Sequence, residues 1–97
     1  MATYIILADF TEQGIRNVKD STHRADAFRD MAQRVGATVK ELYWTLGAHD
    51  IVSVVEAPDD IAVTALGLSV GALGNVRTQT LRAFSKAEMA TIVGKMV

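Results

Sequence analysis

His49 stands directly before Asp50 in the stretch TLGAHDIVSVVEAPDD, Thr45 to Asp60. An imidazole titrating near pH 6.5 beside a carboxylate is raw material for proton transfer. Asp50 nevertheless leads into an apolar strand-like run, and neighbouring side chains on a strand point to opposite faces. Asp50 is therefore not expected to orient the His49 ring. The spacing places His49 at the edge of a cleft or interface. Asp50, a carboxylate entering a buried strand, is expected to accept local backbone hydrogen bonds. Tyr43 and Trp44 lie just upstream and join the pair as ligand-contact candidates.

A second group of candidates is cationic. Arg16, Lys19, His23 and Arg24 fall within nine residues, GIRNVKDSTHR, at an irregular junction. If a helix begins at Ser21 or Thr22, its free N–H groups would add to that positive potential and an anion could be held there. The plainer alternative pairs Arg16 and Lys19 with Glu12 and Asp20 on a solvated surface.

Several chemistries are disfavoured by residue type. There is no cysteine, and the two histidines, His23 and His49, match no HxxxH or HExxH spacing, so no metal is expected. No cofactor is indicated either. Ser21, Ser53, Ser69 and Ser85 lie outside any nucleophile-elbow pattern. GLSVGALGN brings Gly67, Gly71 and Gly74 together, but without the Lys-Ser ending of a phosphate loop or GxGxxG spacing after a strand. Gly71 and Gly74 are instead expected to ease the exit from a helix.

Ten Lys and Arg against eleven Asp and Glu give a net charge of −1, so no basic field exists for nucleic acid or an anionic membrane. No apolar run reaches 18 residues and the N-terminus has no basic leader, so neither a membrane span nor a signal peptide is expected. Together with the absence of cysteine, this fits a cytoplasmic setting. A chain of 97 residues is expected to form one domain, 1–97, with a modest core.

The elements that must position these residues follow from periodicity. TYIILAD reads as a central strand and THRADAFRDMAQRVG as an amphipathic helix; the segment between is ambiguous, with Thr11 able to cap a short turn and Gly14 weakening a helix. ATVKELYWTL and DIVSVVEA read as strands joined at Gly47-Ala48 by a two-residue turn. Pro58 ends the second, and Asp59 or Asp60 caps a helix through IAVTALGLSVG, apolar on nearly every side and expected to be mostly covered. NVRTQTLRAF is a last strand, and Ser85 with Glu88 forms a capping box for a terminal helix. The order is that of an α+β, ferredoxin-like split β-α-β sandwich with a four-stranded antiparallel sheet and an extra C-terminal helix. Strict alternation puts Lys40, Leu42, Trp44 and Leu46 on one side of the second strand and Val39, Glu41, Tyr43 and Thr45 on the other. Neither side is cleanly polar, so both need cover, and a partner chain is expected to supply one.

GAHDIVSVVEAPDD, GNVRTQTLRAF and the upstream TEQGIRNVKDSTHR together resemble the GYD-domain family of small bacterial and archaeal proteins, most without an assigned activity. The resemblance runs from Tyr4 to about Glu88. The family motif is Gly-x-Tyr-Asp; here it falls on Gly47, Ala48, His49 and Asp50, so His49 replaces the namesake tyrosine. Both rings carry a polar tip, and a role that needs a phenol would be lost. The Pro58-Asp59-Asp60 and Gly74-Asn75-Val76-Arg77 pieces also match, as strand stop, helix cap and tight bend. The family is similar to the dimeric α+β barrels, in which two ferredoxin-like sheets pack face to face. The resemblance therefore implies a dimeric barrel and a homodimer or a dimer of dimers.

Three functions compete. The chain is an auxiliary module that binds a small molecule in a cleft between helix and sheet; or it is a cofactor-independent, monooxygenase-like enzyme using the same cleft; or it serves as a structural or protein-interaction module. Fold alone does not choose among them.

Overall fold

The computed structural model describes the whole chain, Met1–Val97. Its elements are β1 (Ala2–Phe10), α1 (Glu12–Arg16), a 3-10 turn (Val18–Asp20), α2 (Ser21–Arg34), β2 (Thr38–Trp44), β3 (Ile51–Ala57), α3 (Asp60–Ala72), β4 (Val76–Ala83) and α4 (Lys86–Gly94). The strands form one antiparallel sheet in the order β2-β3-β1-β4. The α+β class and the four-stranded antiparallel sheet thus hold.

The barrel does not. β2 and β4 lie at opposite edges and do not pair with each other, so the sheet is open. Apolar residues on both faces of a strand show that cover is needed, which is a different property from closure.

One face of the sheet carries the core. Tyr4, Ile6, Val39, Val55 and Ala57 meet Ala32 of α2 and Val63 and Leu66 of α3, all buried. The burial of β1 alternates, as a strand covered by helices on one side requires. β2 departs from strict alternation: a bulge between Val39 and Glu41 shifts the register, pairing Val39 with Val55 and Leu42 with Ser53. Val39 therefore lies under the helices together with Leu42 and Trp44, and Lys40 is the extra residue. On the opposite face Ile5, Leu7, Val52 and Val54 are only half-buried and Leu81 is exposed.

Three local expectations also change. The β2–β3 connection is a six-residue loop, residues 45–50, with Gly47 at φ +104°, and not a two-residue turn. Hydrogen bonds from Thr45 N to Asp50 O at 2.8 Å and from Thr45 Oγ1 to His49 O at 2.6 Å close it. Gly71 lies inside α3, and Gly74 alone adopts a positive φ, +83°, at the bend into β4. α3 is covered only along Val63 and Leu66, leaving Ile61 81% and Leu68 70% exposed, because no second layer of helices lies outside it. No helix is long and apolar enough to cross a membrane.

α4 buries no residue and is held mainly by its cap. Ser85 Oγ accepts from Glu88 N at 3.1 Å and Glu88 Oε1 accepts from Ser85 N at 3.0 Å, while Arg82 Nη2 donates to Glu88 Oε2 at 3.1 Å. The Ser85 N–H and then the Arg82 guanidinium hold the Glu88 carboxyl below its ordinary value of 4.5. A folded-state pKa below the unfolded one contributes stability above the unfolded value and loses it as pH falls through the folded value. α4 is therefore expected to fray reversibly on acidification below about pH 4.5. Circular dichroism should show a helical loss that Glu88→Gln removes from the titration. Unchanged helicity of the parent down to about pH 3 would contradict it.

Candidate functional site

A cavity of about 90 Å³ opens between α2, the C-terminal end of α3 and the helix-bearing face of the sheet. Register explains it. Ile6, Ser53 and Leu42 lie side by side across β1, β3 and β2, and Ala8, Ile51 and Trp44 form the next row. Ala8 and Ser53 are the small side chains of these rows, and the hollow forms beneath Phe28 and Met31 of α2. Trp44 and Leu73 line it while remaining about half exposed.

Polar groups in the lining are few. Ser53 is 3% exposed. Ser21 Oγ is enclosed and has no hydrogen-bond partner. Arg24 is the only charged lining residue, and its Nη2 already donates to Asn17 O at 2.8 Å and to Gly14 O at 3.4 Å. Asn75 also lines the cavity, and its Oδ1 accepts from Gln13 Nε2 at 3.0 Å.

The sequence candidates are divided among separate places. Trp44 and Arg24 reach the cavity. His49 does not: its Nδ1 lies 3.3 and 3.4 Å from the two Asp9 carboxylate oxygens, and Asp9 faces Arg77 across β4. Asp50 Oδ2 accepts from Phe10 N at 2.9 Å, tying the loop to the end of β1. Tyr43, on the face opposite Trp44, donates to Glu41 Oε2 at 2.7 Å, and this bond raises its pKa. Arg16 pairs with Glu12 at 2.7 Å, and Lys19 is exposed. Arg16, Lys19 and Arg24 thus differ in surroundings: an ion pair with Glu12, an exposed surface and the backbone carbonyls beside the cavity. A molecule in the cavity meets hydroxyl groups and not the imidazole.

Architectural residues are equally local. Asp59, following Pro58, caps α3 by accepting from Ala62 N at 2.9 Å. Tyr4, buried at the start of β1, donates to Asp60 Oδ1, and that bond raises its pKa. Asn75 O accepts from Thr11 N at 3.1 Å. No group of three or more His, Cys, Asp or Glu residues is placed to hold a metal. Sequence reasoning passed over Ser53 as a cavity residue, although one signal was there: it is the single hydroxyl inside the apolar run of β3.

Comparison with known proteins places this geometry in a family. The GYD domain model matches residues 4–93. A protein of Thermus thermophilus, named glutamine synthetase and cystathionine beta-lyase binding protein, is 32% identical over 90 residues, covering 92% of this chain and 95% of the relative. A crystal structure of a Thermus thermophilus protein superposes with a TM-score of 0.57 at 24% identity, over 88% of this chain and 95% of that one, a likeness of fold alone. Since both sequence matches run almost from end to end, the chain belongs to the GYD-domain family.

Proposed function

We propose that the chain is an auxiliary binding module that docks on an enzyme of amino-acid metabolism. The observation that carries this reading is its 32% identity, along 95% of the relative's length, to a protein named for binding glutamine synthetase and cystathionine beta-lyase. The surface is suited to docking. Exposed Tyr43, Phe84, Met89 and Met96 offer apolar contact outside the core, and aromatic and methionine side chains are the types enriched at interfaces. Purified glutamine synthetase and cystathionine beta-lyase from the same source organism are expected to co-sediment with the chain at micromolar concentration. Independent sedimentation of all three at about 50 µM would overturn the reading.

The same module is expected to self-associate, a second copy covering the open sheet face of Ile5, Leu7, Val52, Val54 and Leu81. Twofold pairing is the common solution for a self-complementary surface, and a net charge of −1 opposes it little. Sedimentation velocity at micromolar concentration should give at least a dimer; a 10.5 kDa monomer would contradict it. A second reading, in which a small molecule is held in the cleft between helix and sheet, is supported by the cavity under Phe28 and Met31.

A further inference from the structure

The cavity has an apolar wall with the hydroxyls of Ser21, Ser53 and Thr78 in its lining, and Ser21 Oγ has nothing to bond. Ser53 projects from the sheet at 3% exposure, in register with Ile6 and Leu42. Ser21 Oγ, enclosed on the α2 side, has no hydrogen-bond partner. A buried polar group left unpaired costs about 1–3 kcal/mol, and most such groups in folded proteins are satisfied. Both residues line the same hollow, which a ligand group or water can enter.

Charge narrows the class of ligand. Arg24 is the only ionic residue in the lining, and its Nη2 is engaged by the Asn17 and Gly14 carbonyl oxygens. A carboxylate inside would lose its hydration without a dedicated cation. Serine hydroxyls donate and accept, so they suit a hydroxyl or a carbonyl equally. Size narrows it further. A cavity of about 90 Å³ is smaller than the roughly 150 Å³ enclosure known to take benzene. One ring can enter by an edge past half-exposed Trp44 and Leu73, and nothing larger is enclosed.

We propose that the cavity binds a small neutral molecule with a single-ring or equally compact apolar body and one hydroxyl or carbonyl directed at Ser53 and Ser21. This rests on the second reading above, ligand binding in the cleft, and is independent of enzyme docking.

Trp44 is the only tryptophan and lines the cavity, so its fluorescence reports occupancy directly. The intact chain is titrated with phenol, toluene and benzoate, and Ser53→Ala and Ser21→Ala are titrated in the same way. Folding of each variant is checked by a denaturant melt. Phenol is expected to bind at least about tenfold more tightly than benzoate. At least one serine variant should weaken phenol about three- to tenfold, the worth of one hydrogen bond, while toluene binding stays unchanged. If phenol and toluene both bind and respond equally to both serine changes, the cleft reading stands and the hydroxyl-directed class is wrong. Preference for benzoate would refute neutrality. No Trp44 response to any of the three would remove the cleft reading itself.

Discussion

Gly14→Ala is expected to destabilise the fold by about 3 kcal/mol or more, the largest effect of any single-methyl change in this chain. A Cβ at this position would lie 1.9 Å from Asn75 O and 2.9 Å from Asn75 C, both backbone atoms that no rotamer change can move aside. The neighbourhood is also tied down. Thr11 N donates to Asn75 O at 3.1 Å, Thr11 Oγ1 donates to Gly74 O, and Gln13 Nε2 donates to Leu73 O at 3.0 Å. Relief would pull α1 off the bend between α3 and β4 and break these bonds together. On helix propensity alone the change would be favourable by about 1 kcal/mol, so the sign is a direct test of the close approach. Gly71→Ala is the control: it lies inside α3 with nothing within 4 Å of an added Cβ. Urea melts should show Gly71→Ala neutral or stabilised and Gly14→Ala strongly destabilised. A Gly14→Ala protein as stable as the parent would mean that α1 does not sit on the Asn75 carbonyl.

Asp50→Ala is the second large effect, a loss of about 1–3 kcal/mol. Its Oδ2 holds the Phe10 N–H at 2.9 Å, while its own N–H donates to Ala8 O at 3.0 Å. The side chain thus secures the last residue of the central strand to the loop before β3. Alanine leaves the Phe10 donor without that acceptor. His49→Tyr should change stability by less than about 1 kcal/mol. The ring meets Asp9 at 3.3 Å with both side chains substantially exposed, where an ion pair is screened. Denaturant melts rank the two variants, and the reverse order would assign the structural role to the histidine.

The central strand was legible as a near-continuous apolar run rich in β-branched residues, and α2 by apolar residues three and four apart. Caps at Thr11, Asp59 and Ser85 were legible because the side chain and the N–H it accepts from lie within three residues. What escaped depended on distant partners. Nothing local marks Lys40 as a bulge, yet that one inserted residue moves Val39 beneath the helices. Gly14 reads as a weak helix residue until Asn75 is placed against it. The bulge also gathers Val39, Leu42 and Trp44 on one side of β2, and the barrel implied by the resemblance gives way to an open sheet. The site was legible in part: Trp44 and Arg24 line the cavity, whereas His49, the most chemical residue by type, lies against Asp9 instead. Ser53 matters only because β1 and β2 bring Ile6 and Leu42 to its sides.

The strand order has a consequence for synthesis. β1 is the second residue to the tenth of the chain, yet it is interior to the sheet, flanked by β3 and β4. During synthesis it is made before both neighbours, the later of which ends at Ala83. At about 5–20 residues per second the wait lasts several seconds. Until β3 is made the run Tyr4-Ile5-Ile6-Leu7 has no strand to pair with, and until β4 is made its other edge stays open. The nascent chain therefore carries an adhesive segment until its strand partners are made. The β1–β4 pairing, which joins segments more than sixty residues apart, is thus a non-local step of the kind that slows folding.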